Sequence, residues 1–334
     1  MITLAVTMGD PAGVGPSVAL QALTPAALRR AGPVRVVLIG DARWLRRAAR
    51  RRRLPWPWTV VRRPATGPRA PRFQVWDVVR VPASVCPGRV QAVAGRAALE
   101  ALECAITLAQ VGQADALVTA PVSKEAISRP GRPWTGHTEH LARACGVPQP
   151  VMMFVASPLR ISLVSTHQPL AQAIRSLTPT RVAHVVRRTV ETLRTDWRIS
   201  RPRVAVAALN PHAGEGSLLG TEESRWLAPL IRRLARQVPA ALSGPHPADT
   251  LFRQHARGAY DAVVALYHDQ ALIPIKLLAW EQAVNVTLGL PFVRTSPAHG
   301  TAFDRAAAGS ADPSSMRAAV TLAVALARRR ARAH

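Results

Sequence analysis

The chain has 334 residues, 48% of them apolar, with 44 basic against 19 acidic side chains and a formal charge of +25. That apolar content suffices for a sizeable core, which excludes a disordered chain and allows one large or two ordinary α/β domains. All but two of the basic residues are arginine, so the charge reflects a uniform choice of cation rather than a nucleic-acid-binding patch.

In chain order, "ITLAVTM" (2–8) reads as a buried strand and runs into the Gly- and Pro-rich loop "GDPAGVGP" (9–16). The loop has neither the G-x-G-x-x-G spacing of a Rossmann turn nor the G-K-[ST] of a P-loop, so any dinucleotide binds another way. After the strand "VRVVLIG" (34–40), the Arg- and Trp-rich stretch 43–63 reads as a solvated helix face and a proline-stiffened loop. Its alternative reading is a patch for RNA or an anionic surface, with Trp44, Trp56 and Trp58 as stacking platforms. A helical pattern over 95–112 leads to the strand "ADALVTA" (114–120), followed by the strands "VMMFVA" (151–156) and "RISLVST" (160–166). A second helical pattern, 177–195, precedes the strands "RVAVAAL" (203–209), "YDAVVAL" (260–266) and "AVNVTLG" (283–289). The last segment, "MRAAVTLAVALARRRARAH", is an amphipathic helix whose basic end suits the negative pole of the helix dipole. Short apolar strands alternating with helices predict an α/β fold with a largely parallel sheet buried on both faces.

Cys86, Cys104 and Cys145 are odd in number and lack C-x-x-C spacing, which argues against a disulfide framework or a cysteine zinc site. The start has no basic region ahead of an apolar one, and no apolar run approaches ~18 residues. A soluble, cytoplasmic protein is expected.

Three histidines follow three of the strands: His167 after "RISLVST", His212 after "RVAVAALNP" and His268 after "YDAVVALY". In a parallel sheet the C-terminal strand ends share one edge, where ligands bind. Convergence there on a divalent metal is expected; neutral imidazoles suit Zn²⁺, Co²⁺ or Ni²⁺, and three ligands leave positions open for substrate. Asp249 and Asp269 are candidate proton acceptors or partners of metal-bound histidine. "GHTEH" puts His137 and Thr138 at a helix start suited to anions, and Lys276, Asn285 and Arg294 follow the third histidine closely. Lys124 and Lys276, the two lysines, stand out because a surface cation tolerates either residue type whereas a compact titratable ammonium does not.

Together, "TMGDPAGVGP", "ALVTAPVSKEA", "GHTEHLA", "STHQPL", "LNPHAGEG", "GPHPADTLF", "YHDQALIPIK", "NVTLGLPFVRTS" and "HGTAFD" resemble the 4-hydroxythreonine-4-phosphate dehydrogenase (PdxA) family of pyridoxal phosphate (vitamin B6) biosynthesis, in family order from residue 7 to 304. The resemblance implies a fold like isocitrate and isopropylmalate dehydrogenases, with two α/β domains flanking a cleft. The expected division is 1–125 plus 245–334 for the first domain and 126–244 for the second, which would carry the dimer interface. It also implies an obligate homodimer with active sites shared between subunits and a small phosphorylated substrate. His167, His212 and His268 would hold the metal (Zn, Co or Mg), and His137, Thr138, Lys276, Asn285 and Arg294 the substrate. Lys276, Asp249 and Asp269 would be catalytic, and His299, Gly300 and Asp304 of the "HGTAFD" loop would bind NAD or NADP. The implied reaction is oxidation of 4-phosphooxy-L-threonine at its C3 hydroxyl to 2-amino-3-oxo-4-(phosphooxy)butanoate, which loses carbon dioxide to give 3-amino-2-oxopropyl phosphate. Relatives in the same fold oxidise phosphorylated threonate or erythronate, or an aromatic-acid dihydrodiol. A reading from another class is an RNA-binding protein on an inactive dehydrogenase scaffold. Ser17 stands where the family commonly has Glu, Ser217 where a further Gly is usual, and Pro297-Ala298 where Val-Asp often precedes the cofactor loop.

Overall fold

The computed structural model describes residues 1–129, 131 and 133–332. In chain order the strands are β1 (Ile2–Thr7), β2 (Val34–Gly40), β3 (Thr59–Val61), β4 (Phe73–Asp77), β5 (Ala116–Thr119), β6 (Val151–Ala156), β7 (Leu159–Leu163), β8 (Arg203–Ala207), β9 (Ala241–His246), β10 (Ala262–Ala265), β11 (Val284–Leu288) and β12 (Val293–Pro297). The chain forms two compact units, Met1–Pro148 with Leu290–Arg332, and Gln149–Gly289.

In the first unit the strands run in the order β3-β4-β2-β1-β5-β12, and every pair is parallel. β1 is central, with Leu4 opposite both Val36 and Ala116, and is buried along its whole length. Continuous apolar runs are what a strand covered on both faces requires. The helix Ala92–Gln110 covers the sheet with a face of Ala94, Ala97, Ala98, Ala101, Leu102 and Ala105. Its Gly95 admits the short helix Lys124–Ser128, since a Cβ there would lie 2.4 Å from the Ala126 carbonyl carbon.

In the second unit the order is β11-β6-β7-β10-β8-β9; β6 is antiparallel to both β11 and β7, and the rest are parallel. The α/β class and largely parallel pairing expected from the sequence are present. The units part at 148 and 290, whereas the sequence division placed boundaries at 125 and 245. Residues from 126 stay with the first unit through the Gly95 contact, and β10 and β11 belong to the second through their pairing with β7, β8 and β6.

The stretch 43–63 is partly core. Asp41 caps the helix Ala42–Arg51 by accepting from the Trp44 amide at 2.9 Å. Trp44 packs with Ala12, Val85 and Ala94, and Trp58 meets Phe73 edge-on at 5.4 Å between centroids. Both indoles are buried, so two of the three supposed stacking platforms are structural. Among the described residues, no helix is long and apolar enough to cross a membrane.

Candidate active site

In the second unit β7 and β10 leave the sheet together. Leu163 lies opposite Ala265, and the ladder continues as Val164 N to Ala265 O at 2.9 Å and Ser165 N to Leu266 O at 3.1 Å. His167 and His268 therefore arrive side by side, with ring centroids 5.4 Å apart. His268 opens the helix His268–Ala279, and its Nδ1 is 2.7 Å from Oδ1 of Asp269. With Nδ1 donating to that carboxylate, Nε2 keeps its lone pair for a ligand. A cavity of about 410 Å³ opens here, lined by Thr166, His167, Gln168, Tyr267, His268 and Asp269.

His212 is not brought to this pair. Beyond β8 the backbone enters a left-handed turn, with φ of 51°, 55°, 82°, 40° and 66° over residues 212–216. The imidazole is mostly exposed, with Nδ1 3.4 Å from Glu215 Oε2. Among the described residues no group of three His, Cys, Asp or Glu side chains is arranged to hold a metal. The donors that are assembled, two imidazoles with a carboxylate behind one of them, fit two ligands of a divalent ion.

Asp249 lies in the first turn of the helix Ala248–Ala256, exposed, accepting from the Thr250 amide at 2.9 Å. Asn285 sits on β11 with a buried Oδ1 that has no hydrogen-bond partner. Lys276 is exposed, its Nζ 5.0 Å from the Trp280 ring centroid. The run 265–280 is core on one side only: Ala271, Leu272 and Ile275 are buried, whereas Leu277 and Leu278 are 79% and 58% exposed. A helix cannot bury every face of an apolar run against one sheet.

A second cluster is built in the first unit. Gly136 enters the helix His137–Ala144 with φ 139°, a conformation open to glycine, and its α-carbon faces Lys124: a Cβ there would be 3.3 Å from Lys124 Nζ. His137 Nε2 is buried without a hydrogen-bond partner, and Thr138 is buried next to it. Burial, and then the positive Arg294, His140 and Lys124, hold the His137 pKa well below the ordinary histidine value. Arg294, on β12, is 1% exposed and donates from Nη2 to Thr119 Oγ1 at 2.7 Å. Burial lowers its pKa to about 9, against the pull of Glu139. A buried guanidinium beside a neutral imidazole and an ammonium is a receptor for an anion.

His299 and Gly300 follow β12, with His299 Nδ1 2.9 Å from Gly300 O and Nε2 buried without a partner. Thr301 O accepts from Val14 N at 2.9 Å, which lays this segment on the first loop; Asp304 follows in the exposed first turn of the helix Phe303–Ala308. Asp10 escaped the sequence reading of the site. It is fully buried, its Oδ1 accepts from the Ala12 amide at 2.8 Å, and burial raises its pKa to about 6. The only hint was its place in a Gly- and Pro-rich loop.

The family model of the pyridoxal phosphate biosynthetic protein PdxA matches residues 33–323. A curated 4-hydroxythreonine-4-phosphate dehydrogenase of Paracoccus denitrificans is 44% identical over 333 residues, covering 97% of each chain. The crystal structure of the enzyme of that name from Klebsiella pneumoniae superposes with a TM-score of 0.87 at 39% identity, over 98% of this chain and 100% of that one. A terephthalate 1,2-cis-dihydrodiol dehydrogenase from Burkholderia xenovorans gives 0.66 at 31% identity, over 97% and 98%. Near-complete coverage at this identity, joined to the fold and to the strand-end residues above, places the chain in the PdxA family of pyridoxal phosphate biosynthetic proteins.

Proposed function

We propose that the chain is an oxidoreductase of vitamin B6 biosynthesis that oxidises 4-phosphooxy-L-threonine at C3, with NAD or NADP as acceptor and a divalent metal, and whose β-keto acid product loses carbon dioxide to give 3-amino-2-oxopropyl phosphate. The observation that carries the reading is the buried Arg294 guanidinium with the neutral His137, next to the exposed Lys124 ammonium, in a chain of this family. Arg294 holds an anionic group of the substrate by paired charge-assisted hydrogen bonds. Thr138 and His137 Nε2 take its remaining contacts, His137 staying neutral so that it accepts or donates without adding charge. Asn285 supplies its unpartnered Oδ1 to a substrate donor.

His167 and His268 hold the divalent ion, with Asp269 fixing the His268 tautomer and His212 completing the set in the dimer. When bound, Zn²⁺, Co²⁺ or Mg²⁺ supplies Lewis acidity toward the reacting oxygen, and NAD or NADP, held by His299, Gly300 and Asp304, supplies the hydride acceptor. Lys276 Nζ and the Asp249 and Asp269 carboxylates are the proton-transfer groups.

The apolar surface of the second unit supports a homodimer with shared sites. Ile273, Leu277, Leu278 and Trp280 lie on or just beyond the helix that carries His268 and Lys276, and Leu218, 82% exposed, follows His212. A second copy covering that surface would enclose Lys276 and His212. A cytoplasmic setting suits the free Cys86, Cys104 and Cys145.

The test is NADH or NADPH formation at 340 nm with 4-phosphooxy-L-threonine, with chelator and then with Zn²⁺, Co²⁺ or Mg²⁺ restored. Chelator-sensitive turnover is expected. Turnover only with phosphorylated threonate or erythronate, or with a terephthalate dihydrodiol, would replace the substrate, and no turnover with any of them would overturn the reading.

A further inference from the structure

The segment between the helices Lys124–Ser128 and His137–Ala144 brings one large side chain to the anion receptor of the first unit. The Trp134 amide donates to Ser128 Oγ at 3.0 Å, which pins the segment to the helix that Lys124 opens. Two residues later Gly136 turns the chain at φ 139°, and the indole folds back over the start of the second helix. His137 and His140 are three residues apart on that helix and share a face. Trp134 meets the His137 ring edge-on, with centroids 5.5 Å apart and planes at 76°, an arrangement that aromatic rings favour. Its centroid is 6.0 Å from that of His140, and its Nε1 donates to His140 Nδ1 at 3.2 Å.

That hydrogen bond fixes the state of His140. An accepting Nδ1 carries no proton, so the proton of the neutral ring is on Nε2, the nitrogen 4.0 Å from Glu103 Oε1 on the helix Ala92–Gln110. Burial holds the His140 pKa below the ordinary histidine value, against the pull of Glu103 and with the help of Arg143, which keeps Nδ1 free to accept. Trp134 is thus tied twice, by its backbone to Ser128 and by its ring to His140. His137 is the side chain that needs such a wall. Its Nε2 is buried with no hydrogen-bond partner, so no bond at that atom selects among the broad torsional positions open to an imidazole. A ring packed edge-on against it does select among them.

We propose that Trp134 is a positioning residue for the substrate: clamped by Ser128 and His140, its indole holds the His137 ring so that Nε2 meets the anionic group bound by Arg294. The inference rests on the dehydrogenase reading and adds to it a residue that sets substrate affinity through His137.

The test is steady-state kinetics with 4-phosphooxy-L-threonine on Trp134→Ala, His140→Leu and His140→Asn. Trp134→Ala removes the ring contact and its hydrogen bond, and KM is expected to rise about tenfold. His137 holds a part of the substrate that does not react, so kcat should stay within about twofold. His140→Leu removes only the acceptor and should raise KM about threefold. His140→Asn returns an acceptor oxygen near the Nδ1 position and should restore the wild-type KM. A merely structural role would lower the melting temperature and leave KM unmoved. The inference is overturned by a KM within about twofold of wild type in both Trp134→Ala and His140→Leu, by equal KM in the two His140 variants, or by a lower kcat at constant KM. Should circular dichroism show Trp134→Ala unfolded, the two His140 variants decide alone. Calorimetric titration with inorganic phosphate tells the two failures apart. No turnover by wild type, with phosphate bound more weakly by the variants that lack the clamp, refutes the dehydrogenase reading and upholds the clamp. Unchanged KM and phosphate affinity in an active enzyme refute the clamp alone.

Discussion

His167 and His268 stand with ring centroids 5.4 Å apart because β7 and β10 are parallel neighbours in register, so that two side chains 101 residues apart in sequence are delivered to one place. The Asp269 carboxylate on His268 Nδ1 turns that pair into an oriented donor set.

Asp269→Asn should weaken divalent-metal binding by about 10- to 100-fold, the usual cost of losing a carboxylate behind a ligating histidine. The fold should survive, since Asp269 is 75% exposed. Co²⁺ titration followed by visible absorption, with circular dichroism of the metal-free protein as control, checks both halves. Unchanged affinity would remove Asp269 from the metal site.

Arg294→Lys keeps a cation but loses the planar fork that reaches Thr119. KM for the phosphorylated substrate should rise by about tenfold or more. The experiment is steady-state kinetics on wild type and variant. A lower kcat at constant KM would instead point to a role in the chemical step.

Stability should fall as pH rises from about 4 to about 6 because of Asp10. Its carboxyl is raised from 3.8 to about 6 in the folded chain, so the folded state keeps a proton that the unfolded state has released. By linkage, this contribution is fully present below the unfolded value and lost as pH passes the folded one. The full span amounts to about 3 kcal/mol. Asp10→Asn should flatten this part of the profile and stabilise the protein at pH 7 to 8; urea midpoints across pH 4 to 8 test it. A wild-type-like slope in the variant would assign the pH dependence elsewhere.

Ala213 holds φ 55° without being glycine, in the left-handed turn after β8. Relief of that conformation by Ala213→Gly should stabilise the chain by about 1 kcal/mol, less the extra chain entropy glycine brings to the unfolded state. Thermal melting provides the measurement. Destabilisation would mean that the Ala213 methyl contributes packing worth more than the strain.

Leu277→Asp with Leu278→Asp should shift a homodimer to monomer in analytical ultracentrifugation and suppress turnover, since both side chains are exposed on the single chain. A dimer that persists would place the interface on another surface.

The sequence by itself determined the strands that are locally unmistakable. "VRVVLIG" and "YDAVVAL" are short, β-branched and apolar, and that composition suffices when a strand is buried on both faces. It also determined that histidines follow three parallel strand ends. β9 and β12 were not legible: "ALSGPH" contains Gly and Pro, and "VRTSP" contains Arg294 and ends in Pro297, so each is a strand through its pairing, with β8 and with β5. Only the tertiary structure decided that Arg294 is buried beside a neutral His137, that Trp44 and Trp58 are core, and that the His212 imidazole is mostly exposed beside Glu215. The physical reason is common to all three. Local sequence sets periodicity and backbone preference, whereas burial, charge environment and the direction of a side chain depend on partners tens to hundreds of residues away.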